Sequence, residues 1–464
     1  MGTPRQQFEA PLTADRAVEA VSQAVRACDA DAVEVTLLGR AGEFTRFAGD
    51  RIHQPQDITE LSVSVKAIVD GHSARAATSS LDRLAETATY AAALAAGRAK
   101  TAAGPGHAQV GVPSDAPELN IWHDDTAAFD VGERVQLVGQ AIRSASQMGG
   151  RAAGMIGRAV TQIAVANSNG VLRHAAATEA SGSLTITIDD GTAHWVDLHR
   201  SANALSAGAS IERAVERARR SKGRIALPDG QYTVVLGPQA VGELLGFLQD
   251  FGFSGDLAAA QVGLCANHAG QRLTSGLVTI ADDALATVGL PIPFDFEGTA
   301  KRKVPFLTEG VVGEPVTDLA TAAALGGAST GHAHIAREQV PAPVAANVVM
   351  QTGPQSEDDL IADVEKGVYI ERFWYTRLVD RQASTITGVS RDACFLIENG
   401  RMTQPVATAR FTQSVLGFLA TVDGVGNEAR SQPVMNVWNG CISAPAIRGS
   451  GFRFGNRPVE QERA

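Results

Sequence analysis

Apolar residues in the first quarter of the chain change their spacing several times, which indicates mixed helix and strand. Val18, Val21, Val25 and Cys28 recur three or four residues apart. They follow Thr13, a residue type that caps helix amino termini by accepting a hydrogen bond from the first turn. The pattern predicts an opening helix.

Beyond this helix the apolar positions alternate with polar ones, which is the period of a strand. Alternation over 33–37 is followed by the turn-rich stretch Gly39 to Gly42 and resumes over 44–48, so we predict a hairpin. Residues 61–65 predict a third strand, and Ser80 is predicted to open a second helix. The amino-terminal part is therefore an α+β unit on an antiparallel sheet.

The same signals continue to about residue 224. The spacing predicts a helix over Val131 to Met148. Apolar and polar residues then alternate over 154–199, which predicts strands separated by glycine turns at 169–170 and 190–191. Ser210 is predicted to cap a basic helix whose interleaved glutamates favour a solvated face over a nucleic-acid patch.

A turn near Arg224 to Gly230 is the predicted domain boundary, with an amino-terminal α+β domain over 1–224 and a β-rich domain over 225–464. Only two helices are predicted beyond it, Gln239 to Asp250 and Ser356 to Glu365. The predicted strands of the second domain are Tyr232 to Leu236, Leu277 to Ile280, Tyr369 to Val379, Cys394 to Ile397, Val415 to Val422 and Val434 to Trp438. The fold class is α+β.

Composition excludes several classes of protein. The 464 residues include 40 basic and 50 acidic side chains, and the net charge of -10 disfavours a protein that coats nucleic-acid phosphates. Four scattered cysteines are too few for a disulfide framework and favour a reducing, cytoplasmic setting. No window is long and apolar enough for a signal peptide or a membrane span, so we expect a soluble protein with no membrane partner.

Familiar catalytic motifs are missing. The sequence contains no P-loop, no dinucleotide-binding glycine fingerprint between a strand and a helix, and no G-x-S-x-G elbow. Gly449 to Gly455 is glycine-rich, but no helix pattern follows, so it predicts a strand with a bulge. The chain also contains no His-Glu pair of the kind that a metalloprotease helix uses to bind zinc and activate water.

Two weaker sets of candidates remain. His332, His334 and Glu338 could together hold a metal ion, although a loop of hydrogen-bonded or solvated histidines is the more frequent reason for such a cluster. Cys441 could act as a nucleophile if a base lay beside it, but buried structural thiols are the default expectation for all four cysteines.

Several ordered segments resemble the TldD/PmbA proteins, also called modulators of DNA gyrase. The resemblance runs nearly end to end, which makes it more specific than any single motif. Its segments are Ala32 to Val35, Thr45 to Gln54, Leu61 to Val65, Asp70-Gly71, Tyr232 to Pro238, Phe253 to Asp256, Ser329 to Ala333, Glu365 to Tyr369, Phe373 to Leu378 and Ile397 to Gly400.

The resemblance implies a cytoplasmic two-component peptidase in which a TldD subunit carries His-Glu-x-x-x-His on a helix and a TldE (PmbA) partner lacks it. The corresponding helix here is Val241 to Phe251, and Gly246, Phe247 and Phe251 occupy the positions of the two histidines and the glutamate. None of these side chains can bind a divalent metal. The chain therefore looks like the TldE type, with no metal of its own and zinc expected in a TldD-like partner.

Three hypotheses follow. In the first, the chain closes the chamber of a heterodimeric zinc peptidase and helps to bind extended peptides, leader peptides or carrier-tethered precursors, with His332 and Arg377 as candidate groove or interface residues. In the second, it is a stand-alone hydrolase that uses His332, His334 and Glu338, or Cys441. In the third, it is a regulatory binding protein without catalysis; its acidic charge makes direct DNA contact improbable.

Overall fold

A computed structural model describes residues 8–335, 341–433 and 440–455. The amino-terminal half contains an antiparallel sheet that carries helices, and a second, strand-rich part follows it in the sequence. The predicted α+β class is confirmed. No helix in these three ranges combines the length and apolarity needed to cross a lipid bilayer.

Eleven α-helices occur in the described residues. They are α1 (Ala14–Ala27), α2 (Leu84–Thr101), α3 (Asp124–Ala128), α4 (Val131–Gln147), α5 (Ala207–Arg220), α6 (Pro238–Leu245), α7 (Gly255–Ala259), α8 (Leu264–His268), α9 (Leu319–Ala324), α10 (Glu357–Ala362) and α11 (Val415–Leu419). Short 3-10 turns at Leu81–Arg83, Ala202–Leu205 and Gln249–Phe251 adjoin some of them.

Twenty-one strands accompany these helices in the described ranges. The first six are β1 (Ala32–Ala48), β2 (Arg51–Val69), β3 (His72–Thr78), β4 (Arg151–Asn167), β5 (Leu172–Ile188) and β6 (Gly191–His199). The rest are β7 (Gly230–Leu236), β8 (Ile280–Asp282), β9 (Val304–Thr308), β10 (Val311–Val312), β11 (Ala333–Ile335), β12 (Pro341–Pro343), β13 (Asn347–Met350), β14 (Lys366–Ile370), β15 (Arg372–Asp380), β16 (Thr385–Arg391), β17 (Phe395–Glu398), β18 (Arg401–Pro405), β19 (Arg410–Ser414), β20 (Val422–Pro433) and β21 (Cys441–Phe454).

The amino-terminal sheet has the order β3-β2-β1-β4-β5-β6, and every neighbouring pair is antiparallel. The predicted hairpin at Gly39 to Gly42 is wrong, because β1 runs through these residues without a break. Gly39 pairs with Leu61 of β2 and Gln162 of β4, so strands on both sides keep the glycines extended. The chain reverses instead at Gly49 and Asp50, both at positive φ.

Strand alternation gives this sheet two different faces. Val35 and Leu37 of β1 point to α1 and α2, whose small side chains pack on the sheet. Leu38 and Arg40 point the other way, toward the second part of the chain. The predicted helix after Thr13 is confirmed, and the Thr13 side chain accepts a hydrogen bond from Arg16 N.

The basic helix α5 begins four residues earlier than predicted. Ser206 is its cap residue, and Ser210 lies inside the helix with its N–H bonded to the Ser206 carbonyl. The interior position follows from packing, because Ser210 and Ile211 are buried on the same side of the helix.

The second part is built on a 13-stranded sheet with the central order β10-β9-β8-β13-β21-β7-β14-β17-β18 and a branch through β19, β16 and β15. The bulge predicted for Gly449 to Gly455 is confirmed as a register shift in β21 against β7. The strand predicted over Val415 to Val422 is wrong at all but its last residue, because Ser414 caps α11 there and β20 begins only at Val422.

Other observed element boundaries in the second part also differ from the predicted ones. The strand predicted over Tyr369 to Val379 is two strands, β14 and β15, and Leu277 to Ile280 contributes only its last residue to β8. The helices α7, α8, α9 and α11 were not predicted, because each has only five or six residues and too few positions to show a helical period. The strand predicted over Val434 to Trp438 lies outside the described residues.

The two sheets meet in a shared core. Helix α5 packs between them, with Ile211 in the same apolar cluster as Trp195 of β6 and Val235, Tyr369 and Phe395 of the second sheet. All strands of the first sheet end before residue 200, and those of the second begin at Gly230. The predicted division at residues 224 and 225 falls in the connection between them and stays a prediction.

Candidate functional site

Helix α6 follows directly from strand β7. Gly237 is its cap residue and Pro238 stands at its first turn, where a missing N–H has no cost. The α-helix ends at Leu245, and a separate 3-10 turn covers Gln249–Phe251. The predicted helix is thus shorter, and its last positions lie on a tighter turn.

The three positions assigned to metal ligands lie in or against an apolar core. Phe251 is fully buried, and Phe247 packs on the same core with its ring centroid 6.4 Å from that of Phe251. Gly246 ends the α-helix and offers no side chain. These positions pack the helix against the sheet and supply no donor atom.

Glu243 is the acidic residue of α6, and sequence reasoning did not select it. Its carboxylate accepts a hydrogen bond from the hydroxyl of Thr376 on β15. Burial raises the pKa of Glu243 above its usual value. The signal available in the sequence was a carboxylate inside an apolar helical stripe. The hydrogen bond of Glu243 with Thr376 joins α6 to β15.

A cavity of about 520 Å³ separates the first sheet from the second part of the chain. One wall is the inner face of β1, β4, β5 and β6, contributed by alternate residues such as Leu38, Ile163 and Ala177. The opposite wall comes from the loop before β9 and from β11, and it includes Leu290, Ile292, Phe296, Lys301, His332 and His334. The cavity has the size of a small-molecule or peptide site.

A buried carboxylate and imidazole form one edge of this cavity. Nε2 of His332 lies 3.0 Å from Oδ1 of Asp282, and neither side chain is exposed. The other oxygen of Asp282 accepts hydrogen bonds from the N–H groups of Ala346 and Asn347. These contacts and the nearby Lys301 hold the pKa of Asp282 well below its usual range, although burial alone would raise it.

His332 is therefore engaged on both sides of its ring. Its Nδ1 lies 2.9 Å from both the hydroxyl and the carbonyl oxygen of Thr330. Burial and Lys301 lower the pKa of His332 despite the carboxylate beside it. These contacts order the cavity wall, and Nε2 of His332 faces the Asp282 carboxylate at 3.0 Å without a hydrogen bond of good geometry.

His334 lies next along the same strand face and stacks on Phe296, with 4.8 Å between ring centroids. Burial, with Lys301 nearby, lowers the pKa of His334 to about 4, so this imidazole is neutral at pH 7. Glu338, the third member of the predicted cluster, lies outside the described residues. Whether the three could meet around a metal stays a prediction.

Three cations line the cavity, and they differ in their partners. Arg40 pairs with Glu179 at 3.1 Å. Arg200 donates to the carbonyls of Thr178 and Pro291, which ties the first sheet to the loop opposite. Lys301 is 6% exposed, and its ammonium has no hydrogen bond or ion pair among the described residues. Sequence reasoning missed all three, because their isolation inside apolar surroundings appears only in the fold.

Cys441 lies behind the cavity and does not have the surroundings of a nucleophile. Its thiol is buried, donates to Oδ1 of Asn347 at 2.9 Å and accepts from the N–H of Leu290. Burial raises the pKa of the thiol to about 12, whereas a reactive cysteine has a lowered value. The default expectation is confirmed for all four cysteines, which are free and buried.

Arg377 lies on β15, away from the cavity-lining residues. Its side chain is exposed, donates to the Thr376 carbonyl and covers the ring of Tyr375 at 4.7 Å. Trp374 is 40% exposed and has Arg372 and Arg391 over its ring. Among the described strands, β15 pairs only with β16, so its other edge is unpaired.

The residues of α6 do not fit a zinc ion. Zinc in peptidases is held by imidazole and carboxylate ligands, and Gly246, Phe247 and Phe251 provide neither. Across 8–335, 341–433 and 440–455, no group of three or more His, Cys, Asp or Glu side chains is placed to hold a metal ion.

Comparison with known proteins settles the family. Residues 229–456 match the family profile described as the PmbA/TldA metallopeptidase C-terminal domain. The second part of the chain belongs to the TldD/PmbA family. This family is of the metallopeptidase type, and the match covers α6, the second sheet and the cavity wall that holds Lys301 and His332.

Individual relatives of this chain are distant. A protein named metalloprotease from Methanothermobacter thermautotrophicus is 25% identical over 345 residues, 70% of this chain and 74% of that protein. A metalloprotease TldD homolog from Haemophilus influenzae is 28% identical over 220 residues, 47% of this chain and 45% of that protein. The chain thus matches under half of this second relative.

The fold is shared with a solved structure. TldE from Thermococcus kodakarensis superimposes with a TM-score of 0.85 at 18% identity, covering 95% of this chain and all of that chain. At this identity the likeness concerns the fold alone. It agrees with the order of the two sheets found here.

Proposed function

We propose that this chain is the metal-free, TldE-type subunit of a heterodimeric zinc peptidase. The observation that carries the proposal is the replacement of the metal positions of α6 by Gly246, Phe247 and Phe251 within an otherwise conventional family fold. In this proposal a TldD-type partner holds the zinc ion. This chain closes the chamber in the cytoplasm, a setting with which its four free cysteines agree.

The second role of the chain is to help bind an extended peptide. Strand β15 supports it, because its unpaired edge can add a peptide strand through main-chain hydrogen bonds. Trp374 and Tyr375 offer exposed aromatic surface beside that edge, and Thr376 joins the strand to α6. A peptide held there would lie beside the helix that corresponds to the metal-binding helix of the partner.

The substrate class follows from this mode of binding. Strand addition requires a segment without its own secondary structure, so leader peptides, unfolded small proteins and precursors tethered to a carrier are the proposed substrates. Folded proteins would be excluded because their backbone groups are already paired.

The test is subunit-resolved metal analysis combined with peptide cleavage. The purified chain is measured alone and after co-expression with a TldD-like chain. We expect no stoichiometric zinc and no cleavage for this chain alone, and zinc together with cleavage of unfolded peptides in the complex. Metal-dependent hydrolysis by the isolated chain would refute the proposal.

A variant of β15 tests the peptide-binding role. Trp374→Ala is expected to raise KM of the complex several-fold with kcat nearly unchanged, because contacts made equally in ground and transition states are lost. Tyr90→Ala is the control, since Tyr90 is 59% exposed on α2 and does not belong to β15. Equal effects of the two substitutions would remove β15 from the groove.

A further inference from the structure

Lys301 is the least satisfied cation of the cavity wall. Its ammonium carries three donors, and none has an acceptor among the described residues, although the side chain is 94% removed from solvent. A buried ammonium without acceptors is costly relative to one in water. The position therefore suits an acceptor that arrives from outside the chain.

The nearest carboxylates do not fill this role. Asp282 and Asp295 make no hydrogen bond or ion pair with Lys301 among the described residues and act on it only through space. Asp282 is held by His332 and by two backbone N–H groups, while Asp295 accepts from the N–H groups of Glu297, Thr299 and Ala333. These two aspartates lower the cost of the buried ammonium without occupying its donors.

The remaining cations of the cavity are already engaged. Arg40 is paired with Glu179, and Arg200 binds two backbone carbonyls; Nε of Arg200 has no partner but is buried out of reach of a ligand. A singly charged ligand therefore finds one available cation, while Glu179 and Asp197 on the opposite wall disfavour a doubly charged one.

Most of the remaining lining of the cavity is apolar. Leu38, Phe44, Ile163, Leu290 and Phe296 line it, and its volume of about 520 Å³ exceeds what a simple inorganic ion would fill. Burial of hydrocarbon against these walls would contribute favourably to binding. The apolar wall and the ammonium group of Lys301 together are complementary to an amphipathic ligand with one negative charge.

We propose that this cavity binds a small carboxylate with an apolar body, and that the ammonium group of Lys301 receives the carboxylate. The ligand chemistry has two sources, a free aliphatic acid or the carboxyl terminus of a short apolar peptide. The site lies within this chain alone. It does not depend on the proposed partner.

Calorimetric titration of the full chain with matched ligands tests the site. The probes are octanoate against octanamide, and an acetylated Ala-Leu-Val peptide with a free against an amidated carboxyl terminus. We expect at least one acid to bind with one molecule per chain and about tenfold or more tighter than its neutral match. Binding by octanoate alone assigns a free acid, and binding by the peptide acid alone assigns a peptide terminus.

Variants separate this site from adventitious binding. Lys301→Met should reduce the affinity of the acid to that of its neutral match, and Lys100→Met, an exposed lysine on α2, should leave it unchanged. Thr161→Phe fills the cavity from β4 while keeping Lys301, and should abolish binding of both members of a pair.

The proposal is overturned if neither acid binds, if acid and neutral match bind the unaltered chain equally, or if binding survives Thr161→Phe. The comparison of acid and amide uses the unaltered chain, so it decides the matter even where a variant does not fold.

Discussion

Helix α6 and the cavity wall use buried positions in opposite ways. At α6, the positions where the family resemblance expects metal ligands hold Phe247 and Phe251, which stabilise the core without any polar atom. At the cavity wall, Asp282, His332 and Lys301 keep charge or polarity in a place that apolar residues could fill. Apolar residues occupy the first of these places, and polar groups are buried at the second.

This difference teaches where to look for function in a chain without the His-Glu-x-x-x-His motif. A buried phenylalanine is explained by packing, whereas a buried ammonium without partners is not explained by packing. The buried carboxylate of Asp282 and the imidazole of His332 have a structural explanation, because each connects separate loops. Stability measurements can separate these three cases.

The largest effect is expected at α6. Phe251→Ala should lower the free energy of unfolding by about 3–5 kcal/mol, because it leaves a cavity in a fully buried site. Urea denaturation measures it. Phe247→Ala, at a partly buried position, should cost less, and a loss below about 1 kcal/mol for Phe251→Ala would contradict the packing role.

The next effect is expected at the buried pair. Asp282→Ala should cost about 2–4 kcal/mol, since it leaves two backbone N–H groups and His332 without their acceptor. Lys303→Ala is the control, because its ion pair with Asp283 at 2.7 Å is exposed on the lysine side and should contribute under about 1 kcal/mol. Similar costs for both would mean that burial does not matter here.

A pH dependence should appear where the two sheets meet. Burial, with Glu34 nearby, raises the pKa of Glu297 from 4.5 to about 8, although Lys66 lies 3.6 Å away and opposes the shift. Between these two pH values the unfolded chain loses the proton that the folded chain retains. Stability should therefore fall as pH rises from about 4.5 to 8, by at most about 1.4 kcal/mol per pH unit.

Thermal denaturation of the parent chain and Glu297→Gln between pH 5 and 9 measures this dependence. The variant keeps an oxygen that can accept from Leu319 N, so it should fold and show a flatter profile. Parallel profiles for the two proteins would show that Glu297 is ionised in the folded chain.

The smallest effect is expected at β15. Tyr375 has φ of 57°, which glycine adopts without strain, so Tyr375→Gly should change stability by no more than about 1 kcal/mol. Peptide cleavage by the complex should nevertheless weaken. Asn399→Gly, at φ of 50° in a turn, is the matched control and should leave cleavage unaltered.

Periodicity predicted the long elements of the amino-terminal half well. Helices α1 and α4 and strands β4 to β6 follow from it, because each has enough residues to show its period. The hairpin predicted at Gly39 to Gly42 was wrong, because glycine has no side chain to show which face is buried. Pairing with the neighbouring strands β2 and β4 keeps these residues in one extended strand.

Some residues of the candidate site could also be selected from the sequence, and others could not. Gly246, Phe247 and Phe251 were identified from sequence, because residue type alone excludes metal ligation. His332 was also selected, but its role as a partner of Asp282 could not be predicted, since the two lie 50 residues apart. Lys301 and Arg200 were missed because a charged residue carries no sign of its burial in the sequence, whereas Glu243 was missed although it stands inside an apolar helical stripe.

The sequence by itself determined the order of the main elements, the family, and the absence of ligating side chains at Gly246, Phe247 and Phe251, because all three depend on residue types at fixed spacing. Only the tertiary structure decided that two sheets enclose a cavity and that Lys301 stands in its wall without a partner. The physical reason is that burial and ion pairing depend on which distant segments pack together, and local spacing does not record that.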